Sequence, residues 1–133
     1  MGVYWMGSPI GNRPVVKWKG DLLIICQDGL QPMNDALKSS RLNPKSALTY
    51  KIQNAISESV TNYGSNFGWQ VIPFPQQNML VLNVPVVAGS SQEQYVMNDI
   101  TGAWAQFQNW PANCWELYGD NLYFGANTYV GKA

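Results

Sequence analysis

One local pattern occurs three times in this chain and constrains its fold more than any other feature. Trp18-Lys19-Gly20-Asp21-Leu22-Leu23-Ile24-Ile25, Phe74-Pro75-Gln76-Gln77-Asn78-Met79-Leu80-Val81-Leu82 and Leu117-Tyr118-Gly119-Asp120-Asn121-Leu122-Tyr123-Phe124 each set a polar turn pair, Gly-Asp or Gln-Asn, two residues ahead of a Leu in an apolar strand. The spacings from Leu23 to Leu80 and from Leu80 to Leu122 are 57 and 42 residues. Periods of about 40–50 residues that each hold several short strands are the mark of β-propeller blades. The expected fold is therefore mainly β: two to three antiparallel propeller-type blades in an open array.

With 133 residues the chain has the length of one domain, and a closed ring of blades at this period needs more. The expectation is one β-rich unit over 1–133, a fragment of a larger propeller. The final stretch, Asn127 to Ala133, looks like the start of another strand and points the same way.

Between the first two repeats the pattern changes. Asn43-Pro44 offers a helix cap followed by Pro at the first helical position, and Leu48, Ile52, Ala55, Ile56, Val60 and Tyr63 recur at helical spacing. Tyr63-Gly64 supplies a stop. These signals predict one α-helix at about 44–63, inside an insertion spanning 34–66. Elsewhere strands are expected at 3–6, 13–18, 21–26, 30–33, 67–74, 79–87, 94–98, 103–107, 113–118, 121–125 and 128–132, with Pro85 at a strand end or a bulge.

The composition excludes much chemistry. There is no histidine, which removes the commonest general base, His-dependent triads and His-based metal sites. Asp21 and Asp120 fall at what look like equivalent turn positions, where Asp serves its own backbone, and Asp99 beside Thr101-Gly102 has the same explanation. Asp28-Gly29 lacks the Asp-x-Asp-x-Asp spacing of a calcium loop, and no nucleotide-binding glycine motif is present. No enzyme activity, cofactor or metal is expected. Cys26 and Cys114 sit in strand-like runs and read as buried thiols.

Lys plus Arg and Asp plus Glu each number 8, so no global field draws the chain to nucleic acid or an anionic membrane. No window approaches the ~20 apolar residues of a membrane helix. Lys38, Arg41, Lys45 and Lys51 form the one charge cluster, readable as a basic contact patch. DNA is not expected as its partner; a solvated helix face or an acidic protein neighbour is. Trp104, Phe107, Trp110 and Trp115 concentrate aromatic surface, as core, as a protein contact or as a platform for sugar. Trp104 and Phe107, at odd spacing, point to opposite faces of one ideal strand.

The segment Gln94 to Trp104, with Thr101-Gly102-Ala103-Trp104 at its end, followed by Asn109-Trp110, Asn113-Cys114 and Leu122-Tyr123-Phe124-Gly125, resembles virion proteins of tailed bacteriophages and prophages. Phe67-Gly68-Trp69-Gln70 and Leu82-Asn83-Val84-Pro85-Val86 share the resemblance, which spans roughly 15–130. It implies a non-enzymatic component of the head-to-tail or tail-hub region, made in the bacterial cytoplasm and located in the virion. Its partners would be other virion proteins or further copies met through open sheet edges. The alternative expectation is a carbohydrate-recognition module built on exposed Trp and Asn or Gln side chains.

Overall fold

In the computed structural model, residues 8–34, 48–87 and 89–133 are described. They form three antiparallel meanders. The first contains β1 (Val15–Trp18), β2 (Asp21–Cys26) and β3 (Gly29–Pro32). The second contains β4 (Gln70–Phe74), β5 (Met79–Val87), β6 (Ser91–Asn98) and β7 (Trp104–Gln108). The third contains β8 (Cys114–Tyr118), β9 (Asn121–Gly125) and β10 (Val130–Lys132).

Turn chemistry fixes each leading hairpin. Lys19-Gly20 (φ 47° and 73°) and Gly119-Asp120 (φ 55° and 63°) place both loop residues in the left-handed region. That backbone matches the right-handed twist of the strands it joins. The closing pairs are Trp18 with Asp21 and Tyr118 with Asn121. In the middle sheet Phe74 closes with Met79 around a short 3-10 turn at Pro75–Gln77, and Asn78 (φ 51°) makes the left-handed exit.

The middle sheet is buried on both faces. Val71, Leu80, Leu82, Val84, Tyr95 and Met97 pack in one cluster with Leu23, Ile25 and Leu30 of the first sheet and Ile56 of the helix. Ile72, Val81 and Val96 join Trp115, Leu122 and Phe124 of the third sheet in a second cluster. This explains why Met79-Leu80-Val81-Leu82 is an unbroken apolar run: successive side chains feed opposite cores. The first strands of successive sheets touch, β1 against β4 and β4 against β8.

The helix is shorter than its periodicity suggests. A 3-10 turn at Tyr50–Ile52 leads into α1 (Gln53–Tyr63), whereas Leu48 and Thr49 form a turn. Leu48 N–H donates to the Leu30 carbonyl and Leu30 N–H donates to Thr49 Oγ1, so β3 holds both residues out of the helix. The Asn43-Pro44 cap and the expected strand at 3–6 lie outside the described residues, as does most of the 34–66 insertion before Leu48. The stop at Tyr63 is observed, but Gly64 keeps right-handed geometry (φ −58°) and its N–H returns to Val60.

Several strand boundaries also shift, two of them by three residues. Gly68 (φ 125°) delays β4 to Gln70, and β6 begins at Ser91, earlier than 94, because Val87 pairs with Ser91. The register slips between Pro85 and Val87, the bulge expected around that proline. The repeat itself needs one correction. Asp21 opens β2 while Asp120 is a turn residue, so the two are not equivalent. Counted from the closing pairs, the residue that matches Leu80 and Leu122 is Leu22, and Leu23 lies on the opposite face.

Candidate functional site

The connection from β7 to β8, residues 109–113, crosses from the middle to the third sheet, and most of the distinctive chemistry gathers beneath it. Phe107 and Trp110 meet edge to face with ring centroids 5.6 Å apart. Trp110 and Trp115 follow at 5.4 Å, Trp115 and Phe124 at 5.4 Å, and Phe124 and Tyr129 at 6.2 Å. Five rings thus run from the edge strand β7 to the β9–β10 loop, in geometries their quadrupoles favour. Trp115 is buried, Trp110 half-buried and Phe107 exposed.

Under the same crossing lies an amide network. Asn83 Nδ2 donates to the carbonyls of Gly68 (2.8 Å) and Ala112 (2.9 Å). Gln94 Nε2 donates to Asn83 Oδ1 (2.8 Å) and to the Trp110 carbonyl (3.0 Å). Gln92 Nε2 reaches Asn113 Oδ1 at 3.3 Å, and Asn113 Nδ2 donates to Asn127 Oδ1 at 2.8 Å. Asn83 and Gln94 are fully buried, so the bond between them and those from Asn83 to Gly68 and Ala112 are made where water cannot replace them. Nearby, Gln70 bridges β4 and β8: its Nε2 donates to the Trp115 carbonyl and its Oε1 accepts from Trp115 N–H, both at 2.9 Å. One side chain therefore supplies the two hydrogen bonds of a missing strand partner.

Of the aromatic residues singled out by sequence, Phe107, Trp110 and Trp115 come together and Trp104 does not. Trp104 faces the other side of β7, packs against the first cluster and donates its indole N–H to the Leu48 carbonyl at 3.0 Å. The opposite-face expectation for Trp104 and Phe107 is met, with no slip in the β6–β7 register. Lys38, Arg41 and Lys45 lie outside the described residues; Lys51 is exposed in the 3-10 turn. The basic patch therefore has one member in the described structure.

Asp21 serves its own backbone as its turn-like position suggested, whereas Asp120 and Asp99 do not and reach distant partners instead. Asp21 Oδ1 accepts from Leu22 N–H and Asn34 N–H, and Asp120 Oδ1 accepts from Gln76 Nε2. Asp99 pairs with Lys19 at 2.9 Å, tying the first hairpin to the β6–β7 turn, and the Lys19 ammonium also stands 4.9 Å from the Trp18 ring centre. Among the described residues, no group of three or more His, Cys, Asp or Glu could hold a metal ion. Both cysteines are free. Burial, with help from Asp28, pushes the Cys26 thiol up to about 11. Cys114 is only half-buried.

Sequence reasoning passed over Asn83, Gln92, Gln94 and Gln70. A signal existed: Asn83 interrupts the apolar run Leu80-Val81-Leu82-Asn83-Val84, and a polar side chain at a core position needs a partner. The partners, backbone carbonyls of a distant crossing, have no sequence signature.

Several grooves are open among the described residues, and two of the open surfaces adjoin the β7–β8 crossing or the third sheet. A groove of about 370 Å³ is lined by Gln92, Glu93, Gln108, Asn109, Trp110 and Pro111, among others. Asn109 there holds a left-handed backbone (φ 72°). The second surface is the outer face of the third sheet, where Tyr118 is 78% and Val130 75% exposed.

No protein-family model, curated protein or solved structure matches the chain. Among the described residues, no helix is long and apolar enough to cross a membrane.

Proposed function

We propose that this chain is a non-enzymatic structural component of a tailed-phage or prophage particle, a propeller-type module that binds neighbouring virion proteins in the tail or head-to-tail assembly. The observation that carries the reading is the stacking of three meanders through the same relation. Each successive sheet lays its front face, marked by Leu80 and then Leu122, on the back of the sheet before it. Their first strands touch in succession, as those of blades around an axis do. Polar capacity is spent on holding sheets together: Gln70, Asn83 and Gln94 all bond backbone across sheets or crossings. The resemblance in Thr101-Gly102-Ala103-Trp104 and Leu122-Tyr123-Phe124-Gly125 supplies the setting.

The test is mass spectrometry of particles banded on a density gradient from an induced culture of the producing bacterium. Peptides of this chain at a stoichiometry comparable with tail proteins are expected; their absence from intact particles would remove the reading.

The groove beside Trp110 supports a second reading, recognition of carbohydrate. An indole flanked by Gln92, Gln108 and Asn109, with Glu93 oriented by Gln106 (2.9 Å) and Gln108 (3.4 Å), combines a stacking surface with hydrogen-bonding groups. Glycan-array binding that is lost in Glu93→Ala and Gln108→Ala would support it, and an array without signal would dismiss it.

A further inference from the structure

We infer that the outer face of the third sheet is a two-fold dimer interface and that its occupant is a second copy of this chain. In β8 the residues Trp115 and Leu117 face the middle sheet, so Cys114, Glu116 and Tyr118 face away from it. The register extends that face across the sheet. Glu116 pairs with Tyr123, and Tyr123 with Lys132; Cys114 pairs with Gly125, and Gly125 with Val130. Tyr118 completes the face, its ring 6.4 Å from that of Tyr123. The surface is thus two tyrosines, a valine, a thiol, a bare glycine and Asn121 opposite Tyr118, with one acid and one base.

The placement of the two charges selects the occupant. Glu116 and Lys132 end the same cross-strand row on opposite edges of the sheet, with Tyr123 between them. No ion pair among the described residues uses either one. A second copy turned by 180° about an axis parallel to β9 sets its own β8 over β10 and its β10 over β8. Each Glu116 then meets the opposing Lys132, twice by symmetry, and the two Tyr123 rings meet on the axis. A surface whose charges become complementary under a two-fold rotation suits an isologous contact. Gly125 leaves the row from Cys114 to Val130 without a middle side chain, and a Cβ there would stand 2.7 Å from Cys114 Sγ.

The size sets the strength. Two strands of 5 residues and one of 3 span at most roughly 14 by 17 Å, below the ~800 Å² per partner of a standard interface. The dimer is consequently weak and concentration-dependent. It names a partner for the assembly role proposed above and rests on that role for its purpose; its geometry is tested separately, because particle proteomics bears on the role and solution association bears on the face.

The test is sedimentation velocity on the full chain from about 5 μM to about 1 mM, a window that covers weak complexes. The parent chain should pass from monomer to dimer and stop there. Glu116→Lys and Lys132→Glu each replace two attractions with two repulsions and should weaken the dimer about tenfold. The double variant Glu116→Lys/Lys132→Glu should return to within about threefold of the parent, a rescue available only if the two residues face one another. Both positions are exposed, and circular dichroism confirms folding. A parent monomeric at 1 mM, single variants that dimerise like the parent, or an open-ended polymer would each overturn the inference.

Discussion

Replacing Asn83 tests whether the amide network holds the middle and third sheets together. Asn83→Ala removes two short donated bonds, to the Gly68 and Ala112 carbonyls, a longer one to Gln92 Oε1 at 3.4 Å, and one accepted bond, from Gln94. The Gly68, Ala112 and Gln94 partners are left in a region where the side chains of Asn83 and Gln94 have no exposure. At about 1–1.5 kcal/mol per buried bond the loss is about 3–4 kcal/mol, much of the ~5–15 kcal/mol that holds a domain folded. Asn83→Asp is the sharper variant. Its carboxylate keeps the Gln94 donor on one oxygen but turns the other to two carbonyl oxygens with no proton to offer, and burial beside them raises its pKa. A raised folded pKa stabilises below the unfolded value near 3.9 and the benefit is lost as pH rises, so this variant should be more stable at pH 5 than at pH 7. Urea denaturation followed by tryptophan emission measures both, since Trp110 and Trp115 lie beside the network. An Asn83→Ala loss under about 1 kcal/mol, or an Asn83→Asp stability that does not change with pH, would refute the network as a structural element.

Gly131→Ala should cost about 1–3 kcal/mol in the same assay, because a Cβ would run into the buried Phe124 ring; a neutral result would mean β10 is not seated there. Near pH 8 a thiol reagent should modify half-buried Cys114 quickly and Cys26 only on unfolding; equal rates would contradict the burial of Cys26. Because the Cys26 thiol is raised to about 11 from 9.0, the unfolded chain ionises first. Stability should therefore fall between about pH 9 and 11 in the parent more than in Cys26→Ala, by at most about 3 kcal/mol, and parallel profiles would exclude the linkage.

Strands were legible in the sequence where turn chemistry and apolar runs coincide: β2, β5 and β9 have the boundaries that Lys19-Gly20, Gln76-Gln77-Asn78 and Gly119-Asp120 imply. The start of β6 was hidden because Ser91, Gln92 and Glu93 lack β-strand character and are carried by pairing with β5. The helix was legible in its apolar stripe, but Leu48 belongs to that stripe and is held in a turn by its contact with β3, which spacing alone does not show. The aromatic cluster was visible as composition, yet only the crossing at 109–113 decides that Phe107, Trp110 and Trp115 meet while Trp104 belongs to the other core. The amides were missed for the same reason: Asn83 and Gln94 bond carbonyls 15 to 29 residues away.

The measurement that bears most directly on the assembly role is cryo-electron microscopy of purified particles from the producing bacterium. The account predicts density in the tail or head-to-tail region that fits three stacked meanders, with the Trp115 indole between the middle and third sheets and the outer face of the third sheet against a protein neighbour. Particles complete without such density, or a chain found only outside them, would contradict it.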